Sequence, residues 1–336
     1  MRPIVALDAD IVARNASAWA AHSGARVCAV VKSQGYGWGY AAMVRALQGR
    51  VAEYAVADAD ELRDLRACTP SPAIVLGAVE PGRLAEVLDA DALPTIAGQR
   101  ELDIAGAWAR ARTRPLRVRV GVLPAAGWSG LALSELAAFA GPLAAANAEV
   151  QLWTHFTDGA RYAAQLEEFE RARRLLLGAG VRIVGTDVAS TYSVAGGAPG
   201  DVVRIGVGLF GGGSAPGLKC ALRVTAPVVR VERRQAGTPV GYGGMKLPAE
   251  SEIVVARCGY GDGFPKTAAG ADDILTVGMQ YVTAHITRCD KNRTQVELLD
   301  GKSNLDAFAV HAGRLTHEIV IALGNAARAN DVSIED

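Results

Sequence analysis

The chain has 336 residues, half of them apolar, and its 35 basic side chains balance 35 acidic ones. That length suits two domains with sizeable cores, and the balanced charge gives no electrostatic basis for a nucleic-acid or membrane partner. No apolar run reaches the roughly 18 residues of a membrane span. The N-terminus lacks the layout of a signal peptide, and the five cysteines are scattered without C-x-x-C spacing, which points to reduced thiols in the cytoplasm and no zinc site or other metal.

From residue 10 to 210, helical patterns alternate with short β-branched runs. The runs fall at 26–31, 54–57, 73–76, 93–97, 116–122, 150–155, 181–186 and 202–207, with helical patterns at 42–51, 60–66, 133–140 and 163–177. Parallel neighbours need crossovers, so eight such runs predict an α/β fold, a (β/α)8 TIM-type barrel, because eight strands close one. A doubly wound open sheet is the alternative. A glycine-rich break at 211–217 ends the pattern. Beyond it, residues 221–231, 252–257, 274–276, 282–287 and 294–299 read as strands, and 314–323 as a helix. A mostly β C-terminal domain is expected. The expected division is 1–212 and 213–336, with residues 1–9 as candidates to pair with the second part.

In a parallel barrel the working side chains sit on the loops that follow the strands. Polar or glycine clusters fall there: Lys32 to Gly37, His155 to Asp158, Asp187 to Thr191, and Arg204 to Gly208. Lys32 ends an apolar run and precedes a glycine-aromatic loop, a setting suited to Schiff-base chemistry. Such a lysine more often merely snorkels to water. A lone strand-end histidine such as His155 is more often structural, and Arg204 by itself reads as a salt-bridged arginine.

Longer motifs add to this. Val30-Val31-Lys32-Ser33-Gln34-Gly35-Tyr36-Gly37-Trp38-Gly39 resembles the A-V-V-K-A-D/N-A-Y-G-H-G motif of the alanine racemase family, which are fold-type III pyridoxal-phosphate enzymes. Gly259-Tyr260-Gly261-Asp262-Gly263-Phe264-Pro265 is similar to that family's G-Y-A-D-G-Y-P. Residues 203–211 resemble V-R-P-G-I-A-L-Y-G, and Trp153-Thr154-His155-Phe156 resembles M-T-H-F. Smaller echoes are Pro239-Val240-Gly241-Tyr242-Gly243 and Thr316-His317-Glu318. The matches are collinear from residue 26 to 320.

The resemblance implies pyridoxal 5'-phosphate as cofactor, held through a Schiff base to Lys32. It places Tyr36, Thr191, His317 and the amides of Gly206 and Val207 at the phosphate, Arg204 at the pyridine nitrogen, and His155 behind the ring. A permanently charged guanidinium leaves that nitrogen unprotonated and the ring a weaker electron sink. The resemblance also implies that Lys32 and Tyr260 are opposing catalytic bases, with Tyr260 supplied by the partner subunit of a homodimer. Taking a proton from one face of Cα and returning one to the other requires bases on both sides.

The departures cluster at the substrate. The family's V-K-V-D-T-G-M-x-R-L-G is here residues 118–130, where Arg119 takes the lysine position. The arginine that binds the substrate carboxylate is lost, with Trp128 or Ser129 near its place. Losing a charge-assisted contact costs on the order of 2–3 kcal/mol. In the segment usually M-D-Q, Met279 is kept and Gln280 replaces the aspartate. Met279, Gln280 and Arg119 are therefore the candidate substrate-binding residues. The expectation is an amino-acid racemase or epimerase acting on a small-molecule amino acid other than alanine, in secondary metabolism. Two other readings stay open: another pyridoxal-phosphate reaction at Cα (decarboxylase, aldolase or lyase), and a non-catalytic cofactor-binding homologue. Solvent deuterium entering Cα with loss of optical rotation separates the first reading from another reaction at Cα, and a non-catalytic homologue should show the visible absorbance of bound cofactor without turnover.

Overall fold

The computed structural model describes residues 2–123, 127, 130–156, 161–194, 200–241, 244–270, 273–286 and 292–329. Trp128, Ser129, Thr157, Asp158, Tyr242, Gly243, Cys289 and the end of the strand expected at 282–287 lie outside the described residues.

Strand β1 (Ile4–Leu7) and the helix Ala9–Ser23 open the chain. Eight strands follow: β2 (Arg26–Val30), β3 (Glu53–Val56), β4 (Ala73–Ala78), β5 (Ala92–Ile96), β6 (Arg117–Gly121), β7 (Glu149–Trp153), β8 (Arg182–Ser190) and β9 (Val202–Ile205). Each runs parallel to the next, and β2 closes on β9 with Cys28 opposite Arg204 and Ala29 opposite Ile205. The eight apolar runs therefore form a closed barrel and not an open sheet. Helices return the chain between strands, and local capping sets where some of them begin. Asp8 accepts a hydrogen bond from the Ile11 amide at 2.8 Å, and Asp58 one from the Glu61 amide at 2.9 Å. Each bond satisfies a donor that a helix start leaves unpaired. Gly24, with φ 67°, ends the first helix in the left-handed conformation that glycine tolerates best.

After β9 the chain builds an antiparallel sheet in the order β1, β10 (Leu222–Arg234), β13 (Ser251–Ala256), β15 (Val282–His285), β14 (Ile274–Val277), with β16 (Gln295–Leu299) also on β10. The short strands β11 (Pro239–Val240) and β12 (Met245–Lys246) pair separately. A mostly β part thus follows the barrel, as the strand pattern predicted. The opening strand joins it: Ile4 stands opposite Thr225 and Leu7 opposite Leu222. Helices Leu305–His311 and Thr316–Ala329 come last. No helix among the described residues is long and apolar enough to cross a membrane.

The final helix runs past the expected end at 323. Gly324, a natural stop signal, is used for close packing instead. A Cβ there would come within 2.8 Å of both the Gly37 carbonyl carbon and the Tyr36 carbonyl oxygen. Gly37 is equally crowded, because its own Cβ would meet the Ile321 carbonyl oxygen at 2.8 Å. The last helix is thereby pressed against the loop that follows Lys32.

Candidate active site

A cavity of about 500 Å³ opens at the carboxyl ends of the barrel strands, and Lys32 stands on its wall. The residues after the lysine form a left-handed turn: Ser33, Gln34, Gly35 and Tyr36 have φ of 57°, 57°, 63° and 55°. Left-handed backbone costs a non-glycine residue roughly 1–2 kcal/mol, so surrounding contacts must hold the turn. The Ser33 amide donates to Glu61 Oε1 at 2.7 Å, and Gln34 Nε2 donates to Asp64 Oδ2 at 2.9 Å. The turn carries Tyr36 back into the cavity, where its ring lies near those of Phe210 and His317.

Tyr36 also explains Gly206. A Cβ on Gly206 would collide with the Tyr36 hydroxyl, so glycine is needed for space and not for backbone freedom. The following turn, Val207–Phe210, is fixed from behind by Trp19, whose Nε1 donates to the Gly208 carbonyl at 3.1 Å. Thr191 lines the same cavity. A hydroxyl cluster beside a backbone kept bare of side chains makes a cradle for a compact anion. Burial pushes the Tyr36 phenol above its ordinary pKa, so it stays a hydrogen-bond donor.

On the opposite side, Arg204 Nη1 donates to the Asp187 carbonyl at 3.0 Å and Nη2 to the Thr154 carbonyl at 2.7 Å, while the guanidinium is ion-paired with the Asp187 carboxylate. Nη2 also lies 3.3 Å from His155 Nδ1. A guanidinium can only donate, so Nδ1 accepts and the imidazole proton sits on Nε2. Burial, then the charges of Arg204 and Lys32, lower the His155 pKa to about 4. His317 is lowered by burial and then by Lys32, with Asp306 opposing.

All eight residues expected to hold the cofactor, Lys32, Tyr36, His155, Thr191, Arg204, Gly206, Val207 and His317, line this one cavity. The four remaining expected site residues, Arg119, Tyr260, Met279 and Gln280, do not line it. Arg119 was expected at the substrate, but it is fully buried beneath the cavity wall. Its Nη2 donates to both Asp187 carboxylate oxygens at 3.1 and 2.8 Å, and its Nη1 to Thr95 Oγ1 at 3.0 Å. The Trp153 ring, 5.1 Å from the guanidinium carbon, is on the wall in its place. Arg119 therefore takes no part in the cavity surface: a buried guanidinium needs a carboxylate, and the one within reach faces the barrel interior.

Met279 and Gln280 lie in the C-terminal sheet region with Tyr260 and Tyr281, around a second hollow of about 380 Å³. Tyr260 is 42% exposed, and Lys266 Nζ lies 5.9 Å from its ring centroid. Among the described residues, one copy of the chain does not bring Tyr260, Met279 or Gln280 to the wall of the Lys32 cavity.

In the sequence Asp187 and Trp153 stand out only as parts of longer clusters, and nothing marks Tyr192. Tyr192 lines the cavity and donates to Asp306 Oδ1 at 2.9 Å. Trp153 fits because Gly121, its register partner on β6, has no side chain; a Cβ there would meet the indole at 2.7 Å. Asp187 had a readable signal, since two arginines within apolar barrel runs call for a buried acid.

A parallel barrel whose amine and anion cradle stand at the strand ends, continued by an antiparallel sheet, has the build of a two-part barrel enzyme. The chain belongs to the alanine racemase family. The family models for the alanine racemase N-terminal and C-terminal domains match residues 7–214 and 221–330. It is 29% identical to an alanine racemase of Rhodospirillum rubrum, across 96% of this chain and 93% of that protein, and 28% identical to one of Thermobifida fusca, across 83% and 80%. Its fold is similar to that of the alanine racemase of a D-cycloserine-producing Streptomyces lavendulae (TM-score 0.79, 23% identity, 96% and 95% covered). It is also similar to that of the Bartonella henselae alanine racemase with covalently bound pyridoxal phosphate (TM-score 0.80, 21% identity, 97% and 98% covered).

Proposed function

We propose that the chain is a pyridoxal-phosphate-dependent amino-acid racemase whose substrate is not alanine. The observation that carries the cofactor is the convergence of eight residues from distant segments on one cavity. The cavity suits the group. The Gly206 cradle, the Tyr36 and Thr191 hydroxyls and the neighbouring amides offer donors to a phosphate. Arg204 and the neutral His155 offer a flat, polar bed for a ring. Pyridoxal phosphate supplies an aldehyde for a lysine amine and a ring that stabilises the electron pair left when a Cα–H bond breaks.

The chain's own residues do the rest. Lys32, on the cavity wall, would anchor the cofactor through its amine and move a proton on one face of the substrate Cα. A second base must serve the other face. The family resemblance gives that role to Tyr260 of the partner subunit, and the exposure of Tyr260 away from its own Lys32 cavity supports a site completed by a second copy. Tyr36, Thr191 and the Gly206–Val207 backbone would hold the phosphate, with His317 as a further donor, and Arg204 would serve the ring nitrogen.

The substrate reading rests on two features. Arg119 is locked to Asp187 and supplies no cation to a substrate carboxylate. Gln280 stands at the exposed sheet surface beside Tyr260 and Met279, where the family has an acid. A racemisation screen of the common and modified amino acids tests the proposal, with Lys32→Ala as control. The expected result is racemisation of a residue larger than alanine or differently charged, with solvent deuterium incorporated at Cα, and both lost in the variant. Efficient turnover of alanine ends the specialisation, and decarboxylation or elimination without racemisation ends the racemase reading.

A further inference from the structure

Beneath the cavity floor, one carboxylate gathers side chains from three other strands. Asp187 on β8 is fully buried. It accepts from Arg119 on β6 and from Gln151 Nε2 on β7 at 2.8 Å, and it is ion-paired with Arg204 on β9. Of these groups only Arg204 reaches the cavity wall. The site described above needs Arg204 but gives Asp187 no task.

Two guanidiniums in one barrel interior repel each other and lose their water. Burial, with the charge of Arg119 next, pulls the Arg204 pKa down to about 9, and burial pulls Arg119 down to about 10. The other charged or titratable groups facing the cluster are Cys28 on β2, Glu53 on β3, Lys32 after β2 and His155 after β7. Glu53 acts on both arginines only through space, Cys28 is kept a thiol by burial, and His155 is neutral. Among the described residues, Asp187 alone binds both arginines directly.

We propose that Asp187 is a positioning residue for the cofactor ring: it fixes the Arg204 guanidinium against the cavity and supplies the negative charge that lets Arg119 and Arg204 share the barrel interior. Arg119 is then a structural counterweight and not a substrate ligand. The Trp153 ring, 5.1 Å from Arg119 and 5.8 Å from Arg204, stands on the cavity wall and shields the Arg119–Asp187 side of the cluster. Shielding keeps the pair in a medium of low polarity, where a fixed guanidinium acts most strongly on a nearby ring.

This inference rests on reading the cavity as the cofactor site, and the experiment separates the two. Pyridoxal phosphate is titrated into the apo chain, followed by quenching of tryptophan fluorescence and by the visible absorbance of the bound cofactor as a function of pH. Asp187→Asn is expected to weaken binding by at least about tenfold and to move the pH midpoint of the absorbance, while Asp187→Glu restores both to within about threefold. Arg119→Met, which leaves the Asp187–Arg204 pair in place, is expected to hold wild-type affinity within about threefold while lowering thermal stability. Should Asp187→Asn fail to fold, the charge-balanced pair Asp187→Asn with Arg119→Met carries the same expectation. Wild-type affinity and midpoint in the variant lacking the carboxylate overturn the proposal. A wild-type chain with no Lys32-dependent visible absorbance overturns the cofactor reading itself, and this proposal with it.

Discussion

His155 shows how strongly a single environment can set a side chain's charge. Its pKa of about 4 stands well below the 6.5 or so of an unfolded histidine, because burial and then Arg204 and Lys32 oppose protonation. Above pH 6.5 neither the folded nor the unfolded chain holds that proton, and the residue is silent in stability. Between pH 6.5 and 4 only the unfolded chain takes it up, so stability falls as the solution is acidified through that window. The loss attributable to this residue reaches roughly 2 kcal/mol by pH 5. Urea unfolding at pH 7 and pH 5 checks this. His155→Gln should lose about that much less between the two pH values than the wild type, and equal losses in both proteins rule the account out. Lys32, Tyr36, Arg204 and Gly206 were legible from sequence because each sits in a short contiguous motif. Asp187 was legible only indirectly, through two arginines inside apolar runs, since those partners, Arg119 and Arg204, lie 68 and 17 residues away and meet it only when the barrel closes.

At the scale of elements, the barrel strands were readable because parallel strands covered on both faces are continuous apolar runs. The left-handed turn after Lys32 was not, because three of its four positions, Ser33, Gln34 and Tyr36, are not glycine and carry no local sign of positive φ. Its stability comes from elsewhere, chiefly from the ion-like contacts to Glu61 and Asp64 and from the final helix. Gly324 lets that helix seat on Gly37. Gly324→Ala raises intrinsic helix propensity by up to about 1 kcal/mol, but its methyl group meets backbone at 2.8 Å, and overpacking costs about 1–3 kcal/mol. The second effect wins. The variant is expected to melt lower than the wild type and to bind pyridoxal phosphate more weakly, as the turn carrying Tyr36 gives way. Scanning calorimetry with and without cofactor measures both, and a variant more stable than the wild type contradicts the packing argument.

For the whole molecule, the separation of Lys32 and Tyr260 within one copy leads to a test by mixing. If each site joins Lys32 of one subunit to Tyr260 of the partner subunit, a hybrid of Lys32→Ala and Tyr260→Phe chains has one doubly damaged site and one intact site. Random reassortment of two inactive homodimers should then restore roughly a quarter of wild-type activity. Refolding the variants together and assaying the mixture gives the answer, alongside light scattering for a dimer. No recovery from a mixture shown to contain hybrids removes Tyr260 from the shared site.

The pairing of β1 with β10 has a temporal side as well. The four residues Ile4–Leu7 leave the ribosome well ahead of the strand that receives them, which begins at Leu222. Until the intervening chain has been made, this apolar tetrad has no edge to join and must be kept from the wrong one. Long-range pairing of this kind slows folding and leaves an open strand at risk of adhesion. This strand is therefore stitched in only when the later sheet arrives, and bulk fused ahead of Ile4 competes for that late seam.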